Sequence, residues 1–153
     1  MSYINLSLAA ILVAVCTWTD IKKRIIYNVV TYPSVLAGIV LNILSGTYVN
    51  LYQSLIVFVI YLYFFMSGKI GAGDLKLAVA LSLFLGIQPV LLGSLAAGVI
   101  MMVYGFSTTW HKTGLQAAVM VAAGKIPGGE VPYGAVMGPL TLGIAFLNIL
   151  LRG

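Results

Sequence analysis

The sequence predicts an all-α integral membrane protein, a bundle of about six transmembrane helices with both termini outside the cytoplasm. Three observations carry that expectation. Of the 153 residues, 61% are hydrophobic and 7% charged, whereas a soluble domain is roughly a quarter charged. The apolar residues come in successive runs near the ~20 residues that a bilayer span needs. The few basic residues fall in the connections, almost all on one side. The length leaves little for a separate soluble part, so residues 1–153 read as a single membrane-embedded domain.

The first run covers residues 4–19 and stops at the polar cluster Asp20, Lys22, Lys23 and Arg24. No Lys or Arg precedes it, unlike the charged start of a signal peptide, so it reads as a true span. The second starts at Val29 and fades at the turn-like pair Ser45 and Gly46. The third, residues 51–66, carries Tyr52, Tyr61 and Tyr63 with Phe58, Phe64 and Phe65, in part an interfacial aromatic belt; it ends at Ser67, Gly68 and Lys69. Residues 74–107 bear no further charge except Lys76. As one helix at ~1.5 Å per residue they would far exceed a bilayer core of ~30 Å, so the run must fold back. Gly86, Ile87, Gln88 and Pro89 are the expected turn, because proline lacks a donor and disfavours helix in the residue before it. That leaves a short fourth span and a fifth over residues 90–107. Residues 108–131 read as a loop of mixed character with Trp110, His111, Lys112 and Lys125, whose apolar stretch 115–123 is too short to span and suits an interfacial or re-entrant helix. The sixth span is residues 132–151.

With six spans, one side holds Lys22, Lys23, Arg24, Lys69, Lys76, Lys112 and Lys125, and the other only Arg152. The positive-inside rule puts the basic side in the cytoplasm, as expected of a multi-pass protein of the cell (inner) membrane. The net charge of +5 forms no long stripe for tracking phosphates, so nucleic acid is not the expected partner. Cys16, the lone cysteine, can form no internal disulfide or multi-cysteine zinc site and reads as a packing residue. His111 is the lone histidine, beside Trp110, and suits an interface rather than a metal cluster.

Three acids remain: Asp20, Asp74 and Glu130. An ionisable group costs ~2.5 to 3.5 kcal/mol at the centre of a membrane helix and less near the interface, so an acid kept at the edge of a span is a functional hypothesis by default. Asp20 closes the first span, and Asp74 opens the fourth after Gly71, Ala72 and Gly73. Two carboxylates brought together at low dielectric do not both ionise easily. One keeps a proton while the other, as general base, draws a proton from a water that attacks an amide carbonyl. The plainer reading stands beside this one. Asp20 is then a juxtamembrane acid neutralised by Lys22, Lys23 and Arg24, and Asp74 an N-terminal cap of the fourth helix. Gly71 and Gly73 make either a flexible turn or a surface bare enough for a substrate backbone to approach the acid.

Gly71, Ala72, Gly73 and Asp74, followed by Leu75, Lys76 and Leu77, resemble the Gly-x-Gly-Asp motif of membrane aspartic peptidases, specifically the type IV prepilin peptidases. Asp20, with a basic stretch and then Asn28, is similar to that family's first aspartate and its downstream Arg-Ile-Pro-Asn pattern, with Tyr27 where proline is usual. Val131, Pro132, Tyr133 and Gly134 are similar to its Pro-Tyr-Gly element. The chain lacks the cytoplasmic region with paired Cys-x-x-Cys motifs of the bifunctional enzymes, and so resembles the short peptidase-only form of tight-adherence (Flp-type) pili, without N-methyltransferase activity.

The resemblance implies an aspartic endopeptidase with Asp20 and Asp74 catalytic. Its substrate would be a pilin or pseudopilin precursor, cut at the cytoplasmic membrane face to release a short basic leader, with no cofactor or metal. The pilus assembly machinery is a further implied partner. Gly71, Gly73, Lys76, Asn28, Pro132, Tyr133 and Gly134 would bind substrate or support the site. On residues alone, Lys76 lies about 200° around a helix from Asp74 and points away from it. Asn28 suits a cap of the second helix, Glu130 a solvated loop, and Gly134 with Gly138 a close helix contact within the bundle. The alternative is a small transporter or channel component in which Asp20 and Asp74 bind a cation or relay protons.

Overall fold

A computed structural model describes residues 3–122 and 132–151. Among these are seven α-helices and no strand: α1 (Tyr3–Lys23), α2 (Asn28–Leu44), α3 (Tyr48–Met66), α4 (Ala72–Leu85), α5 (Ile87–Thr113), α6 (Leu115–Ala122) and α7 (Tyr133–Leu150). Lys125, Glu130, Val131 and Arg152, to which expectations were attached above, lie outside the described residues.

The short helix α4 is the axis of the bundle, and α1, α2, α3, α5 and α7 all pack on it. Its sequence explains this position. It is apolar around its whole circumference, and Leu75, Leu77, Ala78, Ala80, Leu81, Leu83, Phe84 and Leu85 are all buried; such a helix must be enclosed. The surrounding helices are inside-out by the standard of a soluble protein. Ile11, Val15, Leu36, Val40, Leu55, Val59, Val99 and Val103 face outward, while Thr31, Asn42, Ser54 and Thr141 are buried. Lipid favours this arrangement, since tails solvate the large apolar side chains and helices associate through small residues and interhelical hydrogen bonds. A Cβ added to Gly38 would stand 2.8 Å from Leu83 Cβ, one on Gly93 2.9 Å from the Thr141 backbone, and one on Gly138 3.0 Å from Val13. These glycines bring α2 onto α4, α7 onto α5 and α7 onto α1. Four helices, α1, α3, α5 and α7, are long and apolar enough to cross a membrane, and α2 is a shorter apolar helix of 17 residues. The chain is thus an all-α, multi-pass membrane protein.

The turn expected at residues 86–89 is shorter than the sequence suggests. Only Gly86 separates α4 from α5, at φ 81°, and Pro89 lies within the first turn of α5. A proline there removes a donor that has no intrahelical partner anyway. The Ile87 N–H is instead taken by Gln53 Oε1 at 3.0 Å. Nor does α5 stop at Ser107. The hydroxyls of Thr108, Thr109 and Thr113 bond back to carbonyls of the preceding turn, and Gly114, at φ 93°, ends the helix. Beyond it α6, too short to span, folds back on α5, with Val121 against Gly105. With 14 residues, α4 is ~21 Å long. Where it stops short, an open cavity of about 920 Å³ is lined by Asn5, Asn50, Gln53 and Asn148 among others.

Candidate active site

The opposite end of α4 gathers the start of α4, the end of α1 and the start of α7. Asp20 lies three residues before the end of α1, so it sits inside the helix rather than closing it, and it is only 6% exposed. Its Oδ2 accepts the Ala135 backbone N–H at 2.8 Å. Helix α7 has Pro132 at its N-cap in extended conformation and no side-chain cap of its own. The Asp20 carboxylate therefore satisfies an otherwise orphan donor of another helix. Lys22 and Lys23 do not hold it: Lys22 Nζ lies 4.1 Å above the Trp18 ring and Lys23 Nζ 5.6 Å above Tyr27.

Asp74 occupies the third position of α4, after the N-cap Gly71. Its Oδ2 accepts the Gly71 N–H at 3.2 Å. Glycine has no side-chain oxygen to complete a reciprocal capping box, so this is the acid's half alone. The capping role expected for Asp74 is present, and it leaves Oδ1 pointing elsewhere. A Cβ placed on Gly134 would stand 3.0 Å from Asp74 Oδ1 and 3.0 Å from Asp20 Oδ2. The two oxygens are therefore no farther apart than twice that distance. Both carboxylates lie at the N-terminal ends of helices, α4 and α7, where unsatisfied N–H groups and the macrodipole favour negative charge.

Of the other residues singled out in the sequence, Gly71 bonds Asp74 and Gly134 lies against both carboxylates, with Pro132 and Tyr133 just before it at the start of α7. Gly134 packs between the carboxylates, and the Tyr133 hydroxyl donates to the Ser94 carbonyl at 3.1 Å, tying the start of α7 to α5. Tyr61 adds to this tie through Ser94 Oγ and, at 3.5 Å, Met137 Sδ. Asn28 does not cap α2. Tyr27 is the N-cap, extended at φ −74°, and makes no side-chain cap bond. The Asn28 amide is drawn across to α4 instead, where Lys76 Nζ donates to its Oδ1 at 2.7 Å and lies 4.9 Å from the Tyr32 ring. Lys76 thus points away from Asp74, as its helical phase requires. Gly138 packs on Val13 inside the bundle. Among the described residues no group of three or more His, Cys, Asp or Glu is placed to hold a metal.

Two further residues lie beside the pair. Ala135 contributes only a backbone N–H, which any residue type supplies. Ile26, an apolar residue in an apolar neighbourhood, lies against both Gly73 and Gly134. Asn42, by contrast, does carry a sequence signal, as a polar residue inside an apolar run, which no expectation above used. It is buried, donates to the Gly38 and Leu83 carbonyls at 2.7 and 2.8 Å, and accepts from Asn50.

Fold and site together define a helical membrane protein with two buried or half-buried carboxylates converging at one end of its axial helix. Residues 7–106 match the model of the type IV leader peptidase family, and the chain belongs to that family. The matched segment contains Asp20 and Asp74 and ends before Pro132, Tyr133 and Gly134. Comparison with curated proteins and with solved structures gave no match.

Proposed function

We propose that the protein is a prepilin leader peptidase, an aspartic endopeptidase in which Asp20 and Asp74 are the catalytic pair. The observation that carries this reading is the convergence of the two carboxylates around Gly134, from helices distant in sequence. At ~6 Å and an effective dielectric near 20, repulsion between two ionised carboxylates is about 3 kcal/mol. The pair then works with one proton between them. The ionised member takes a proton from a water held between the two as that water attacks the scissile carbonyl. The protonated member donates to the carbonyl oxygen, and a proton then passes to the departing amine. The N-terminal ends of α4 and α7 stabilise the negative charge that remains.

The substrate is a pilin or pseudopilin precursor, of the Flp type, and the product a precursor freed of its basic leader. In this reading α1, α2, α3, α4, α5 and α7 are the six spans, and the termini lie outside. Every described Lys and Arg, namely Lys22, Lys23, Arg24, Lys69, Lys76 and Lys112, falls at the carboxylate end of the bundle. The positive-inside rule makes that end cytoplasmic, in the inner membrane, where a precursor held by its apolar helix presents its leader. With one cysteine, the 153 residues hold no Cys-x-x-Cys pair, and we assign no methyl transfer, an assignment that transfer from a labelled methyl donor by the purified protein would refute.

The test is co-expression with candidate precursors, scored by mobility shift. Asparagine is nearly isosteric with aspartate but does not cycle a proton, so Asp20→Asn and Asp74→Asn are each expected to lower cleavage by roughly a hundredfold or more. Members of one unit fail together, so the double variant is expected to be scarcely worse than either single one. Near-normal cleavage by either single variant, inserted at wild-type level, overturns the assignment.

A further inference from the structure

We infer that Ile26 is a specificity-determining residue, the wall that limits how large a side chain can lie beside the scissile bond. This rests on the peptidase reading above.

Ile26 lies in the short non-helical connection between α1 and α2. The chain reverses there because Arg24 adopts the left-handed region at φ 53°, and Tyr27 then runs extended into α2. The reversal brings the Ile26 side chain over the carboxylate end of α4 while its neighbour Ile25 stays 53% exposed. A Cβ built on Gly134 would stand 2.7 Å from Ile26 Cδ1, and one built on Gly73 would stand 3.0, 3.4 and 3.5 Å from Ile26 Cβ, Cγ1 and Cδ1. One apolar side chain therefore bridges the two glycines that border the pair, Gly73 immediately before Asp74 and Gly134 between both carboxylates.

The consequence is geometric. A scissile carbonyl must come within about 3 Å of the groups that exchange protons with it. The surfaces that Gly73 and Gly134 offer there are bare backbone on packed helices, which have no side chain to move aside. Ile26 is the adjustable wall, and its β-branch makes it stiff about χ1. It carries no proton-transferring group, so its contribution is to the volume of the slot rather than to the chemical step. A substrate residue larger than the slot must push Ile26 and its connection outward.

The experiment measures kcat/KM of the full-length protein in detergent on precursors carrying Gly, Ala, Leu or Phe at each residue flanking the scissile bond in turn. For Ile26→Ala, the large-to-small ratio at one of these positions is expected to rise about tenfold or more, the effect of one or two methylenes in an apolar pocket. Ile26→Val removes only Cδ1, the carbon nearest Gly134, and is expected to raise the ratio about tenfold, the lower end of what one methylene is worth; it carries the test if the alanine variant does not accumulate. Ile26→Phe is expected to lower the ratio, and Ile25→Ala to leave it as in the wild type. If Ile26→Ala or Ile26→Val cleaves with the wild-type ratio at both positions, the inference is overturned while the peptidase assignment stands. If the wild type cleaves no precursor, the peptidase assignment falls and takes the inference with it.

Discussion

Gly134 shows how one residue's lack of a side chain shapes the candidate site. A methyl group there would meet Ile26 Cδ1 at 2.7 Å and a carboxylate oxygen of each aspartate at 3.0 Å. The isoleucine can yield, but the Asp20 oxygen is held by the Ala135 N–H, and the Asp74 carboxylate is anchored through its other oxygen by the Gly71 N–H. Gly134→Ala is therefore expected to force the carboxylates apart at an overpacking cost of ~1–3 kcal/mol. Cleavage then falls about tenfold or more, measured as precursor processed per unit of inserted protein. Gly98→Ala is the contrasting case, since nothing lies within 4 Å of the added carbon; in mid-helix it is expected to retain activity and to gain ~0.5–1 kcal/mol of stability. Glu130→Gln is expected to keep most activity, because the proton exchange proposed here uses Asp20 and Asp74 alone.

Helix α4 has two ends with different needs. At its start, Asp74 satisfies the Gly71 N–H. At its finish, the Leu83 carbonyl is met by Asn42 of α2, and the Ile87 N–H that opens α5 is met by Gln53 of α3. These bonds hold a short helix at a fixed height, and the height decides whether Asp74 is level with Asp20. Asn42→Ala leaves the Gly38 and Leu83 carbonyls and the Asn50 amide without their partner, and an unmet buried polar group costs ~1–3 kcal/mol. A lower unfolding midpoint in detergent is expected, together with reduced cleavage because α4 is less firmly placed. An unchanged midpoint would show that α4 is held by its apolar contacts alone.

For the molecule as a whole, the separation of charge and apolar surface sets how it sits in a bilayer. The described basic residues collect at the carboxylate end, and the cavity lined by Asn5, Asn50, Gln53 and Asn148 lies at the other. Single-cysteine labelling in a Cys16→Ala background is expected to place Lys23, Lys69 and Lys112 on the cytoplasmic face and Gly46 on the opposite one. Cys16 is 1% exposed, so its replacement removes background reactivity at the cost of a small buried volume. Finding Lys23 and Lys69 on opposite faces would separate Asp20 from Asp74 across the membrane and end the paired mechanism.

The sequence by itself determined the class of protein and the order of its long helices, and it singled out the two acids proposed as the pair. Those properties follow from local rules: apolar runs long enough for a bilayer, basic residues at their ends, and the cost of an acid at the edge of a span. Resemblance to the family's Gly-x-Gly-Asp and Pro-Tyr-Gly elements also marked Gly71, Gly73 and Gly134. Tertiary structure alone decided what each residue meets. Asp20 receives the N–H of Ala135 from a helix at the far end of the chain, because α7 lacks a cap of its own. Asn28 turns from capping α2 to accept from Lys76, because α4 stands beside it. The extension of α5 past Ser107 and the single-residue turn at Gly86 depend on threonine back-bonding and on Gln53, partners that no run of hydropathy reveals. Ile26 is the clearest case: the resemblance to the Arg-Ile-Pro-Asn pattern covers its position but not its contacts, and its place beside two bare glycines arises only when α1, α4 and α7 converge.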